Sequence, residues 1–76
     1  MNFGEAQEFM KSGNKICRSG WNGKGMYIFY ISEWTFNQIG DAERLPFTAL
    51  KTADNKIVPW TVSQTDAHAS DWEIAA

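Results

Sequence analysis

The chain has 76 residues, 43% hydrophobic and 21% charged, with a formal net charge of -2. A length this short allows a single domain, 1–76, around one core, and the acidic balance excludes broad binding to a nucleic-acid polymer, which needs a basic surface. Cys17 is the sole cysteine and His68 the sole histidine, which excludes an intrachain disulfide and leaves no Cys-x-x-Cys or His-x-x-x-His spacing to hold a metal.

The segment Met1-Asn2-Phe3-Gly4-Glu5 has no basic stretch followed by an apolar run, and nothing in the chain approaches the roughly 20 apolar residues of a membrane span. A cytoplasmic protein without membrane contact is expected. Asn2 and Glu5 have the spacing of a capping box, and Phe3, Ala6, Phe9 and Met10 then recur on one helical face. Gly13 stops the helix and Lys11 suits the dipole of its last turn. The spacing predicts a helix over 3–12 whose apolar stripe lies on a sheet.

Lys15-Ile16-Cys17-Arg18 alternates and predicts a short strand. Asn22-Gly23 is a hairpin signal, because both central residues of a type I′ turn need positive φ, and Gly25 is a candidate bulge. Met26-Tyr27-Ile28-Phe29-Tyr30-Ile31 is the strongest strand, apolar on both faces: Met26, Ile28 and Tyr30 point one way and Tyr27, Phe29 and Ile31 the other. One long helix covers only one face of a sheet, so the other is expected to meet a ligand or a further subunit. A core this small typically contributes about 3 to 5 kcal/mol. With no disulfide or metal available, oligomerisation is the expected staple.

Residues 32–47 show no clean period. Trp34 and Phe36 imply a packed excursion that covers a pocket or bridges subunits. Residues 48–52 and 56–60 flank Ala53-Asp54-Asn55 as a second hairpin, with Pro59 at an edge or strand end because it cannot donate to a ladder. Ser63-Gln64-Thr65-Asp66 matches a capping-box variant that opens a helix to about Ser70, and Asp71-Trp72-Glu73-Ile74 alternates as a last strand with Trp72 and Ile74 on the buried face. The resulting expectation is an α+β fold: a small antiparallel sheet, an N-terminal helix packed on one face and a short C-terminal helix.

Lys11, Lys15, Arg18 and Lys24 lie between Glu8 and Glu33 with no acidic residue among them. They form either a local anion-binding patch or a solvated surface. Gly20-Trp21-Asn22-Gly23-Lys24-Gly25 fails the phosphate-loop pattern, which needs four residues between its glycines and a hydroxyl after the lysine, and it fails the dinucleotide fingerprint because a strand follows. Its composition still allows close backbone approach, a point charge from Lys24 and a flat face from Trp21 for a base, with packing on the helix as the competing role of Trp21. Trp72 reads as core, and Trp60, beside Pro59, as a pocket residue. Gln64, Thr65 and Asp66 at a helix start suit a ribose or base edge, the alternative being a plain cap. His68 with Cys17 is the only pair available for nucleophilic chemistry and lacks a positioned third member, so no enzyme and no cofactor are expected.

At Met1-Asn2-Phe3-Gly4-Glu5-Ala6, Arg18 to Met26, Lys51-Thr52-Ala53-Asp54, Ile57-Val58-Pro59-Trp60, Ser63-Gln64-Thr65-Asp66 and Asp71-Trp72-Glu73, the chain resembles the second type of Thoeris anti-defence protein, a family of small phage and prophage proteins. The resemblance covers nearly the whole chain in the family's order and is weakest at 32–47, where this member is short. It implies a sponge acting in the cytoplasm of the bacterial host cell: a homo-oligomer, typically a tetramer, that sequesters a cyclic ADP-ribose isomer, in some relatives a cyclic oligonucleotide, without cleaving it. Carried over by position, Trp21 stacks on a base, Arg18 and Lys24 lie near phosphate, and Gln64, Thr65 and Asp66 contact ribose or base; Asn22 and Trp60, from the reading of the residues, complete the expected ligand-binding set. The alternative is a module that inhibits a host protein through its aromatic face.

Overall fold

A computed structural model describes residues 1–21, 24–34 and 40–75. The hairpin signal at Asn22-Gly23 and the centre of the 32–47 excursion, including Phe36, lie outside the described residues. The elements are α1 (Phe3–Lys11), β1 (Ile16–Arg18), β2 (Tyr27–Ile31), β3 (Phe47–Lys51), β4 (Ile57–Pro59), α2 (Gln64–Ala67) and β5 (Trp72–Ile74). This is the α+β arrangement expected.

α1 starts where the sequence places it because two orphan N–H groups find partners there: Asn2 Oδ1 accepts the Glu5 N–H at 2.8 Å and Glu5 Oε1 accepts the Asn2 N–H at 3.0 Å. It ends at Ser12, after which Gly13 takes φ 103°, a left-handed conformation that favours glycine. Ala6 and Met10 are buried, but Phe9 is 45% exposed. Phe9 stands about a quarter turn off the stripe formed by Phe3, Ala6 and Met10 at 3.6 residues per turn, so it flanks the contact instead of entering it.

The five strands form one antiparallel sheet in the order β4-β3-β2-β1-β5. Residues directly opposite one another share a face, so the pairs Ile16↔Ile28, Ile28↔Leu50 and Arg18↔Trp72 define the helix side. The core there is Ala6, Met10, Ile16, Ile28 and Trp72, with Phe3, Trp21, Tyr30, Leu50 and Trp60 packed around it. Tyr27, Phe29, Ala49 and Lys51 occupy the second face, as the pairs Tyr27↔Lys51 and Phe29↔Ala49 require.

Pro59 ends the edge strand β4, where its missing N–H costs no ladder bond. Asn55, at φ 66°, turns the β3–β4 hairpin while Thr52 Oγ1 accepts the Lys56 N–H at 2.9 Å. Ile74 departs from expectation: it is 47% exposed although Trp72, two residues earlier, is 2% exposed. β5 is the other edge strand; it has a neighbour on one side only, and Ile74 lies at its end, away from the Phe3 contact that covers Trp72.

α2 also stops short of Ser70. The Asp66 carbonyl, which would accept the N–H of residue 70 in a continuing helix, instead takes the Ala69 N–H at 3.3 Å and the Trp72 indole N–H at 2.9 Å. In the excursion before β3, the Trp34 indole N–H donates to the Leu45 carbonyl at 2.9 Å and the ring meets Phe47 edge-on at 5.8 Å. No described helix is long and apolar enough to cross a membrane.

Candidate ligand-binding site

The candidate site is organised around Trp72. Phe3 of α1 lies 5.1 Å from its ring, Trp21 meets it nearly perpendicular at 5.4 Å and 79°, and Trp60 does the same at 6.2 Å and 86°. Edge-to-face contacts of this kind add to the area that the rings bury. Trp72 is buried, whereas Trp21 and Trp60 are half-buried, so each keeps indole surface towards solvent while the core holds it in place. Trp72 is core, as the sequence reading has it, whereas Trp21, left open there between stacking and packing, packs against the core with part of its surface exposed.

The loop after β1 and the turn into α2 meet at this cluster. Ser63 caps α2, its Oγ accepting the Asp66 N–H at 3.1 Å and donating to Asp66 Oδ2 at 2.9 Å. Gln64 and Thr65 are exposed on the first turn. Asp66 is turned inward, and Arg18 Nη1 donates to its Oδ1 at 2.8 Å. Arg18 Nε donates to Asp71 Oδ1, also at 2.8 Å. The other Asp71 oxygen accepts the Gly20 N–H at 3.0 Å and the Ser19 hydroxyl at 3.2 Å.

These contacts set the charge states. For Asp66, burial pushes the carboxyl up, but hydrogen bonds from Arg18, Ser63 and the Trp21 indole, with the charge of Arg18, outweigh it and hold the group below the usual carboxylate range. The Arg18 hydrogen bond is the main cause that lowers Asp71, opposed by burial and aided by the Gly20 N–H, the Arg18 charge and Ser19. The guanidinium is in turn stabilised by both carboxylates, Asp71 before Asp66. All three groups are therefore ionised at neutral pH, a trio with one positive and two negative charges.

The basic patch of the sequence divides between two faces. Alternation along β1 sends Arg18 to the helix side with Ile16, while Cys17 belongs to the second face. Lys15 lies over the Tyr27 ring at 4.9 Å, and Lys51 lies over the same ring at 5.8 Å while donating to the Gly25 carbonyl at 3.2 Å. Lys24 and Lys11 are exposed. The structure thus brings Arg18, Trp21, Trp60 and Asp66 together around Trp72, with Gln64 and Thr65 on the adjoining turn; Asn22 lies outside the described residues. Asp71, which the sequence reading placed only in the alternating last strand, joins them. Its signal was the pairing of Arg18 with Trp72, which no local pattern reveals.

Two clefts lie apart from this cluster. One of about 220 Å³ is lined by Met10, Asn14, Lys15, Tyr27 and Phe29, and another of about 530 Å³ by Cys17, Met26, Tyr27, Lys51 and Glu73. The Cys17 thiol is raised by burial, then by the charge of Glu73 and the hydrogen bond to it, which disfavours the reactive thiolate. His68 is the exposed C-cap of α2. Among the described residues no three His, Cys, Asp or Glu side chains converge as metal ligands.

A family model for the Thoeris anti-defense 2-like domain matches residues 1–75. A relative named Thoeris anti-defense 2, from Bacillus phage SP01, is 41% identical over 93 aligned positions that cover 100% of this chain and 96% of the relative. The alignment is longer than the chain's 76 residues, so the relative carries inserted residues that are missing here. With the whole sheet, both helices and the aromatic cluster inside the matched span, the chain belongs to the Thoeris anti-defense 2-like family.

Proposed function

We propose that this chain is a phage anti-defence protein that binds and sequesters a cyclic nucleotide immune signal, a cyclic ADP-ribose isomer such as glyco-cyclic ADP-ribose, and does not cleave it. The observation that supports this most is the pair of half-buried indoles, Trp21 and Trp60, held edge-on against Trp72 beside the exposed first turn of α2. Stacking a base on an aromatic face is worth roughly 1 to 3 kcal/mol, and each charge-assisted hydrogen bond about 1.5 to 3 kcal/mol. Several together approach the roughly -12.3 kcal/mol of nanomolar affinity. In this reading Trp21 and Trp60 offer base-sized faces, Lys24 and Arg18 lie near phosphate, and Asn22, Gln64, Thr65 and Asp66 read ribose or base edges. The working form is a soluble homo-oligomer in the host cytoplasm, a tetramer by the resemblance of its sequence.

The experiment is a thermal-melting panel of cyclic ADP-ribose isomers and cyclic oligonucleotides. A ligand that binds only the native state raises the melting temperature, and heating the complex should return that ligand intact. A shift with a cyclic ADP-ribose isomer and intact recovery support the sponge, and recovery of a cleaved product excludes it. No shift with any nucleotide favours a protein-binding module acting through its aromatic face.

A further inference from the structure

Arg18, Asp66 and Asp71 tie together three segments that are far apart in the chain. Arg18 sits at the end of β1, Asp66 in α2 and Asp71 just before β5. The guanidinium uses Nε for one carboxylate and Nη1 for the other, each at 2.8 Å, with side chains only 17 to 32% exposed. Each carboxylate then reaches one wall of the candidate site. Asp71 accepts from Ser19 and Gly20, and the loop turns into Trp21 through a hydrogen bond from the Trp21 N–H to the Arg18 carbonyl at 3.2 Å. Asp66 holds Ser63 on one side, while its own carbonyl takes the Trp72 indole.

Gly20 records how tight this junction is. A Cβ there would fall 3.1 Å from Asp71 Oδ2 and 4.0 Å from Arg18 Nη2. A side chain at this position would press on the carboxylate that accepts the glycine's own N–H. The two carboxylates also outweigh the one guanidinium, leaving a local surplus of negative charge. Arg18 is therefore largely committed to the protein, and only Nη2, outside its two ion pairs, is left to approach a phosphate.

We propose that Asp71 is a positioning residue for the ligand site: through Arg18 and Gly20 it fixes the Trp21 loop against α2, so that the indole face and the first-turn side chains of α2 are presented together. This rests on the nucleotide-binding reading above. Asp71 touches no ligand in this scheme. Arg18 contributes mainly as the bolt between two carboxylates, with only Nη2 outside those two ion pairs.

The test uses the full chain and the cyclic ADP-ribose isomer that gives the largest melting shift. Asp71→Asn keeps the side-chain size but removes the charge; it should weaken binding at least tenfold. Asp71→Glu should recover part of the loss. In the Trp21→Phe background, which keeps a smaller ring face for the ligand, Asp71→Asn should cost less affinity than in the wild type, because part of its effect passes through the indole; destabilisation alone would add in both backgrounds. In ligand-free protein, Asp71→Asn should move the indole N–H resonances of Trp21 and Trp72 and leave that of Trp34 in place. Wild-type affinity in folded Asp71→Asn, or equal losses in both Trp21 backgrounds, overturns the proposal. If Asp71→Asn fails to fold, Ser19→Ala with Gly20→Ala probes the same carboxylate from the loop side, and unchanged affinity there overturns it equally. If the wild-type chain binds no nucleotide, the binding reading fails by itself; unmoved Trp21 and Trp72 resonances then overturn the clamp as well, and moved ones uphold it.

Discussion

Trp72 sets the geometry of its surroundings because three aromatic rings and a backbone carbonyl all use it. Truncating a buried aromatic removes its transfer energy and leaves a cavity, so Trp72→Ala is expected to cost about 3 to 5 kcal/mol by chemical denaturation, enough to unfold a chain of this size. Trp21→Ala, at a half-buried ring, is expected to keep a cooperative melt and lose nucleotide binding; an unfolded variant would make Trp21 a core residue. The acidic pair predicts a pH dependence with a definite sign. Asp66 and Asp71 have carboxyls held below the ordinary value. Their stabilisation is therefore fully present above the unfolded value of about 3.9 and is lost as pH falls through the lower folded values. Melting temperatures measured between neutral pH and about pH 3 should fall only in the acidic range, and less in Asp71→Asn than in the wild type. At this scale Trp72 was legible, since alternation and size mark it. Asp71 was not, because a carboxylate becomes part of a clamp only when a strand 53 residues earlier in the chain is laid beside it.

Local rules account for most of the elements. The capping box at Asn2 and Glu5 begins α1 where expected, and Asn2→Ala should lower stability by about 1 kcal/mol in urea melts. Strand positions were readable because β1 and β5 alternate and β2 is an unbroken run of aromatic and β-branched residues, with ends within one residue of the expected ones. Where the reading went astray, tertiary contacts decided. α2 stops early because Trp72 captures a carbonyl that the helix would have used, and Ile74 is exposed because β5 became an edge. The order of strands is not encoded in a single segment's pattern, and of the two edges only β4 was marked, by Pro59. The basic patch divided for a related reason: four cations close in sequence are distributed by strand alternation and the helix end to different sides.

Over the whole molecule, the sheet has one face under α1 and another on which no helix lies among the described residues. On the latter, Tyr27 and Phe29 pack together at 5.9 Å, with Lys15 and Lys51 over the Tyr27 ring, and the edge residue Ile57 is 65% exposed. Apolar surface of this extent on so small a chain is the physical reason to expect association. Light scattering at micromolar concentration should give a multiple of 8.6 kDa, and a monomeric mass would remove oligomerisation from the account. The central claim is retention of an intact cyclic nucleotide by the Trp21, Trp60 and α2 surfaces. Titration calorimetry of the assembled protein with glyco-cyclic ADP-ribose tests it most directly: the account predicts saturable heat with affinity near nanomolar and unaltered ligand on recovery, and the absence of heat from folded, assembled protein would contradict it.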